Sequence, residues 1–312
     1  MICTMNIRAL PADLKKVAKK ELKEDEKRIA EHVKYITEWL EKQPHMNGRT
    51  DPQWLVAFLR GCKYSLERTK EKLDTFYTVR THLPEIFLQR DLDDRVIREV
   101  LDLGIYLPLP EPMTADGPRV ILMRPCQFDP KKYTYASILK VSFMIMDFLL
   151  LKDDRLNVAG QISVLDLTGS KLEHASQFTP SLVKKTVMAF QDGYPIKTKC
   201  LHFVNPPSSF DVLFSIFKNF MNKKLKDRIM VHKDLEDVFQ YVPADVLPSD
   251  YGGQAPSIAA LTQQWKNAVL DHRDWYQQEK KHHVDESKRP GKAITSLDLF
   301  GVDGSFKKLE FD

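Results

Sequence analysis

The sequence predicts an α/β protein with a mostly parallel sheet set behind an all-helical N-terminal subdomain, and two observations carry this. Up to about Arg90 the apolar patterns have helical spacing and no strand signal appears. From Val120 to His232 short apolar runs are separated by helical stretches of a dozen residues or more, giving β-α-β-α-β-α-β. Parallel strands need such crossovers, and the crossover helices cover the sheet.

Taken in order, residues 11–43 read as one helix through Leu14, Val17, Leu22, Ile29, Val33, Ile36 and Leu40, its charged first part at the surface, ending before Pro44. Asp51-Pro52 places a cap and a first-turn proline before WLVAFLRGC, and Ser65 precedes a helix through Leu73, Phe76 and Tyr77. A short helix fits within 91–104, and YLPLPEPMTADGP reads as a turn-rich connector. VILM (120–123) is a short apolar run, 135–151 a long apolar helix, and GQISVLDLTG (160–169) a strand ending in a turn. A helix over 180–192, capped at Thr179-Pro180, leads to the strand KCLHFVN (199–205), and RIMVH (228–232) follows the next helix. An amphipathic helix over 257–279, a polar linker and a tail whose Leu297, Leu299, Phe300, Phe306, Leu309 and Phe311 dock on the body complete the chain. The implied division is 1–90, 91–279 and 280–312.

The segment Asn205–Arg228, NPPSSFDVLFSIFKNFMNKKLKDR, stands apart. After Pro207 no Gly or Pro interrupts it, so it reads as one helix over 208–226. Phe210, Leu213, Phe214, Phe217 and Met221 form one apolar stripe, while Val212, Ile216 and Phe220 form a second. A helix apolar on two faces needs two apolar neighbours. Burial within a core satisfies that, and so does a helix with protein or ligand on one side and membrane on the other.

At 312 residues and 43% hydrophobic content the chain can bury a sizeable core. No run approaches the ~18 apolar residues of a spanning helix, and the N-terminus lacks a signal-peptide core. Four scattered cysteines without a C-x-x-C pair read as free thiols of a reducing compartment, so a cytoplasmic location is expected. The net charge of +4 is unevenly placed: residues 184–228 hold nine Lys or Arg against three acids. That local excess points to an anionic partner.

The chain contains no G-x-S-x-G, Walker, G-x-G-x-x-G or H-E-x-x-H pattern, which weighs against an enzyme or a bound cofactor. Asp166 ends a strand where catalytic acids of α/β folds sit, but an acid there also stabilises a turn. His282-His283 in a polar linker read as solvated rather than metal-bound, and His202 as a core histidine. Nucleic acid is disfavoured, because the basic window interleaves with core-type aromatics and matches no recognition motif. The geometry of four cations is more informative. Lys197 and Lys199 share a strand face, Lys224 and Arg228 are one helical turn apart, and parallel strands bring Lys199 and Arg228 to one sheet edge, within reach of one anion.

VLDLTG (164–169), HASQFTPSLVKK (174–185), YPIKTK (194–199), the segment from His202 to His232 and LPSDYGG (247–253) together resemble the CRAL-TRIO (Sec14-like) lipid-binding family. FLRGCKYSLERTKEKL (58–73) is similar to its N-terminal helical module, and the likeness covers about residues 10–275. The branch resembled is that of the tocopherol and retinaldehyde carriers, with a C-terminal tail similar to that of arthropod members. The resemblance implies a hydrophobic cavity on the sheet closed by a gate helix, here 208–226. It implies a lining of Leu139, Ser142, Phe143, Met146, Phe178, Thr186, Ala189, Phe190, Tyr194 and Ile196, with Phe210, Leu213, Phe214 and Phe217 from the gate.

The resemblance also implies a phosphoinositide-headgroup site at Lys197, Lys199, Lys224 and Arg228. Cys62, with Lys63 beside it, stands where the branch carries Arg, which weakens the expected headgroup site. Met146 and Thr186 depart from the Ser and the aliphatic residue of the tocopherol carrier, so the cargo's polar handle has moved and its identity does not carry over. The expectation is a monomeric, non-enzymatic carrier of one small hydrophobic ligand (a tocopherol, retinoid, carotenoid or other terpenoid-like lipid) that exchanges it at phosphoinositide-containing membranes. A phosphoinositide-binding adaptor without cargo and a lipid-acting enzyme are the rivals.

Overall fold

A computed structural model describes residues 7–301; the expected docking of Phe306, Leu309 and Phe311 lies outside them. Two helices replace the single one expected over 11–43. Helix α1 (Ala12–Val17) runs into a π-helical turn, Ala18–Leu22, the chain turns at Lys23 with φ +62°, and α2 (Ile29–Glu41) restarts. The highly charged stretch 23–28 has no apolar residue to bury and forms the break, with Glu24 buried as the acceptor of Arg60 at 2.8 Å and Tyr64 at 2.9 Å. The first part is not merely superficial either, because Leu14, Ala18 and Leu22 are buried against Val158 and Ala159.

Helix α3 (Pro52–Gly61) begins where Asp51 accepts a hydrogen bond from the Trp54 amide at 3.0 Å. Helices α4 (Leu66–Thr81), α5 (Pro84–Phe87) and α6 (Arg95–Leu101) follow. Phe76 meets Trp54 and Phe58 edge to face, and the three belong to one continuous core with Leu139, Phe143 and Leu150 of α7 (Tyr135–Lys152). Inside that core Asp147 accepts from Arg80 at 2.8 and 2.9 Å, from Tyr194 at 2.5 Å, and from Arg90. A fully buried carboxylate is tolerable only when paired and hydrogen-bonded in this way.

The sheet has the order β1-β2-β3-β4-β5. Strands β2 (Arg119–Met123), β3 (Gln161–Asp166), β4 (Thr198–Val204) and β5 (Ile229–His232) are parallel. Strand β1 (Tyr106–Pro108) pairs antiparallel with β2 inside the stretch expected to be a connector. Three residues ending at a proline give almost no strand signal, and the position at the sheet edge tolerates that proline.

Alternation assigns the faces. Val120, Leu122, Val164 and Val204 pack on Leu261 of α13 (Ile258–Leu270) and on Val238, Val242 and Leu247. The opposite face carries the row Met123, Leu165, Phe203, Val231, in direct register across four strands. Helices α7 and α8 (Asp154–Ala159) cross from β2 to β3, α9 (Leu172–Ser176) and α10 (Pro180–Met188, continued by a π-helical turn to Gly193) from β3 to β4, and the helical segment after Pro207 from β4 to β5.

The segment expected as one helix over 208–226 is two. Helix α11 (Phe210–Phe220) stops at Met221, which is extended, and Asn222 caps α12 (Lys223–Lys226) by accepting from the Leu225 amide at 2.9 Å. The Asn222 amide donates to Gln191 Oε1 at 2.7 Å, and Met221 and Leu225 are both buried. The final amphipathic stretch is likewise divided, into α13 and α14 (Arg273–Glu279). A last helix, α15 (Ser296–Phe300), buries Phe300 and leaves Leu297 exposed.

Candidate functional site

A cavity of about 220 Å³ lies between the sheet and helices α7, α10 and α11. Its floor is built by alternation: Leu165 on β3 and Leu201 and Phe203 on β4 point the same way, joined by Met123 of β2. Leu139, Ser142, Phe143 and Met146 of α7 recur at helical spacing and form one wall, and Phe178, Thr186 and Phe190 form the facing one. Phe210, Leu213, Phe214 and Phe217 of α11 close it. Phe214 stacks on Phe210 at 4.9 Å and meets Phe203 at 5.3 Å, while Phe217 meets Phe178 at 5.6 Å. On this side the closing helix is held by aromatic and aliphatic contacts, which have no directional bond to break when it moves.

Ala189, Tyr194 and Ile196 lie off this wall. Ala189 is buried in the main core, and Tyr194 turns its hydroxyl to Asp147 while its ring stacks at 5.5 Å on the back of Phe143. Ile196 lines a neighbouring cleft. The floor residues Leu165, Leu201 and Phe203 were missed, although their alternation within GQISVLDLTG and KCLHFVN was the available signal.

The polar wall groups are mostly engaged. Ser142 Oγ donates to the Ile138 carbonyl at 2.9 Å and Thr186 Oγ1 to the Leu182 carbonyl at 2.7 Å. His174 accepts from the Lys171 amide at 3.0 Å and contacts the Phe128 carbonyl at 3.0 Å. Tyr106 differs: its hydroxyl is buried without a partner.

The outer stripe of α11 is unevenly covered. Val212 is 56% exposed, whereas Ile216 and Phe220 are half-buried. Leu172, on the short helix α9 that also carries the cavity residues His174 and Ala175, is 62% exposed.

Beside the cavity lies a polar cleft of about 620 Å³. Lys197, Lys224 and Arg228 line it, with Lys63, Arg68 and Lys72 from the helical region, and Glu71 and Asp192 are its acids. Arg228 donates to the Thr198 carbonyl. Lys199 stands next to the cleft, and with Lys197 it faces Glu21, at 3.6 and 2.6 Å respectively. Burial, then Arg228, Lys63, Arg68 and Lys197, push the Lys224 ammonium below its ordinary value. Burial also lowers that of Lys72, which donates to the Asp192 carbonyl at 2.6 Å. Cys62 lines the cleft as a buried thiol whose acidity burial weakens, so it adds no charge.

Asp166 stabilises a turn. It accepts from Thr168 N and Oγ1 at 3.0 and 2.7 Å, from Asn205 Nδ2 at 2.9 Å and from Tyr251 Oη at 2.6 Å. Burial alone would raise its carboxyl, but these bonds outweigh burial and hold it below the usual carboxylate range. His202 is a core residue, its Nδ1 2.9 Å from His232 Nε2.

A mostly parallel sheet with an apolar cavity under a phenylalanine-rich helix defines an α/β protein of the lipophile-binding type. The chain belongs to the CRAL/TRIO family of lipid-binding and lipid-transfer proteins: the CRAL/TRIO domain profile matches residues 108–253, and a Pinta-like UBA domain profile matches 25–97. It is 30% identical over 264 residues to the alpha-tocopherol transfer protein-like protein of Homo sapiens, covering 84% of this chain and 75% of that one. It is 25% identical over 286 residues to clavesin-2 of Homo sapiens, covering 91% and 85%, and 26% identical over 258 residues to clavesin-1 of Xenopus laevis, covering 81% and 76%. The solved structure of Sfh5 overlays with a TM-score of 0.47 at 14% identity, over 86% of this chain and 99% of that one, too distant to add to the assignment. Among the described residues no helix is long and apolar enough to cross a membrane.

Proposed function

We propose that this chain is a non-enzymatic, monomeric, cytoplasmic carrier that holds one small hydrophobic molecule of the tocopherol, retinoid, carotenoid or other terpenoid-like class and exchanges it at phosphoinositide-containing membranes. The observation that carries this reading is the cavity whose floor is the sheet row Met123, Leu165 and Phe203 and whose cover is α11. Its volume of about 220 Å³ lies under the ~300–1,000 Å³ of typical small-ligand sites. A larger cargo therefore requires the phenylalanines of α11 to move aside. The exposed Val212 and Leu172 beside that cover supply an apolar surface for the acyl boundary, and the cleft supplies cations for anionic headgroups. Residues 1–90 act as the helical partner, 91–279 as the lipid-binding domain and 280–312 as the linker and docking tail.

Organic extraction of the purified chain with mass spectrometry tests the cargo. An unaltered lipophile recovered in about one-to-one ratio is expected. An empty extract, with phosphoinositide vesicles still bound, favours an adaptor without cargo, for which the cationic cleft is the supporting observation.

A further inference from the structure

Glu21 occupies an unexpected place. It sits in the π-helical turn Ala18–Leu22, and its Oε2 lies 2.6 Å from Lys197 Nζ and 3.6 Å from Lys199 Nζ. The hydrogen bond from Lys197 holds its carboxyl below the ordinary range, so it is ionised at neutral pH. Packing anchors the turn that carries it: Leu14, Ala18 and Leu22 are buried against Val158 and Ala159 of α8.

We propose that Glu21 is a resident counter-anion at the edge of the basic cleft, and that by holding Lys197 and Lys199 it makes the cleft select a polyphosphorylated headgroup over a single phosphate. This rests on the anion-binding part of the function proposed above. The remaining cations of the cleft crowd one another. Lys224 is pushed toward its neutral form by burial and by Arg228, Lys63, Arg68 and Lys197, and Lys199 by burial and by Lys197. Within the cleft Glu71 and Asp192 compensate only part of this charge. A polyanion relieves the crowding at Lys63, Arg68, Lys224 and Arg228 while competing with one fixed carboxylate for the two strand lysines. A single phosphate has too little charge to do both. Lys63 and Arg68 are thereby assigned as headgroup contacts, supplying from α4 and the turn before it the charge that Cys62 lacks.

The test compares wild type, E21Q, K197Q and E21Q/K197Q by calorimetric titration with inositol 1,4,5-trisphosphate and with inorganic phosphate. Co-sedimentation uses phosphatidylcholine vesicles with and without phosphatidylinositol 4,5-bisphosphate. Removing a partly exposed carboxylate that engages two lysines should tighten trisphosphate binding about three- to tenfold. The wild-type preference for trisphosphate over phosphate should narrow, and the gain should vanish in the K197Q background. Vesicle binding that rises with E21Q only when the bisphosphate lipid is present assigns the site to a headgroup; a gain confined to soluble trisphosphate assigns it to a free phosphate ester. Equal trisphosphate binding by wild type and E21Q overturns the role of Glu21 alone, while no binding by either overturns the anion site itself.

Discussion

Phe190 and Leu225 each line both the apolar cavity and the basic cleft, so two side chains form the partition between them. Phe190 belongs to the π-helical turn after α10 and Leu225 to α12, the helix that also carries Lys224. A shift of α12 toward a bound anion therefore moves a cavity wall directly. Leu225→Ala should destabilise the fold by about 2–3 kcal/mol, as truncating a buried leucine does. It should also release cargo faster from vesicles lacking phosphoinositide. Thermal unfolding and a fluorescent-cargo release assay measure the two effects, and unchanged release would remove the partition from the mechanism.

Lys224→Ala/Arg228→Ala should leave cargo occupancy intact, because neither side chain touches the cavity. Transfer to phosphoinositide vesicles should fall roughly tenfold or more, at about 1 kcal/mol for each cation near an anionic surface. Arg228→Lys should retain most of the transfer. Equal transfer by the double variant and wild type would exclude the cleft from membrane recognition.

Tyr106→Phe removes a buried hydroxyl that has no partner. Leaving such a group unsatisfied costs about 1–3 kcal/mol, so the empty variant should melt higher than empty wild type. Differential scanning calorimetry on delipidated protein reads this out, and a lower melting temperature would show that the hydroxyl is satisfied in solution.

Burial alone would raise the Asp147 carboxyl, but Arg80 and Arg90 beside it, with the hydrogen bonds from Arg80 and Tyr194, outweigh burial and keep it below the usual carboxylate value. A carboxyl depressed in the folded state contributes stability that is present above its unfolded value, near pH 4, and is lost as pH falls below that. Chemical denaturation should therefore show stability declining below about pH 4. Asp147→Asn at pH 7 should cost about 3–5 kcal/mol by leaving two buried guanidiniums underpaired and should flatten the acid-dependent decline. A variant with wild-type stability at pH 7 would refute the reading.

Much of this architecture was legible because it is written in short-range periodicity. The parallel strands appear as apolar runs, Asp51 and Thr179 as helix starts, and the α11 stripe as Phe210, Leu213, Phe214 and Phe217. What escaped depends on distant partners or on brevity. β1 is three residues ending at Pro108, and Glu21 meets Lys197 across 176 positions of sequence. The break between α11 and α12 has a local cause, Asn222 as a cap, hidden in a run without Gly or Pro. Tyr194 is apolar enough to resemble lining, yet the buried Asp147 claims its hydroxyl.

That break changes what the cover of the cavity must do. Lys223, Lys224 and Lys226 lie on α12, on the far side of the extended Met221, and Asn222 is tied to Gln191. In the carrier reading proposed above, α11 swings between Pro207 and Met221 while Lys224 stays on the cleft, and membrane contact by the helix falls to its outer stripe. Val212 is the most exposed member of that stripe. Val212→Glu should weaken binding to neutral vesicles several-fold, since full burial of a valine is worth at most roughly 1.5–3 kcal/mol. Val212→Trp should strengthen it, because an aromatic ring suits the interface. Neither change should alter the cargo recovered by extraction, because Val212 does not line the cavity. Vesicle co-sedimentation at fixed salt separates the cases: opposite shifts for the two variants place α11 in the bilayer interface, and identical binding by both means that the open helix never reaches it.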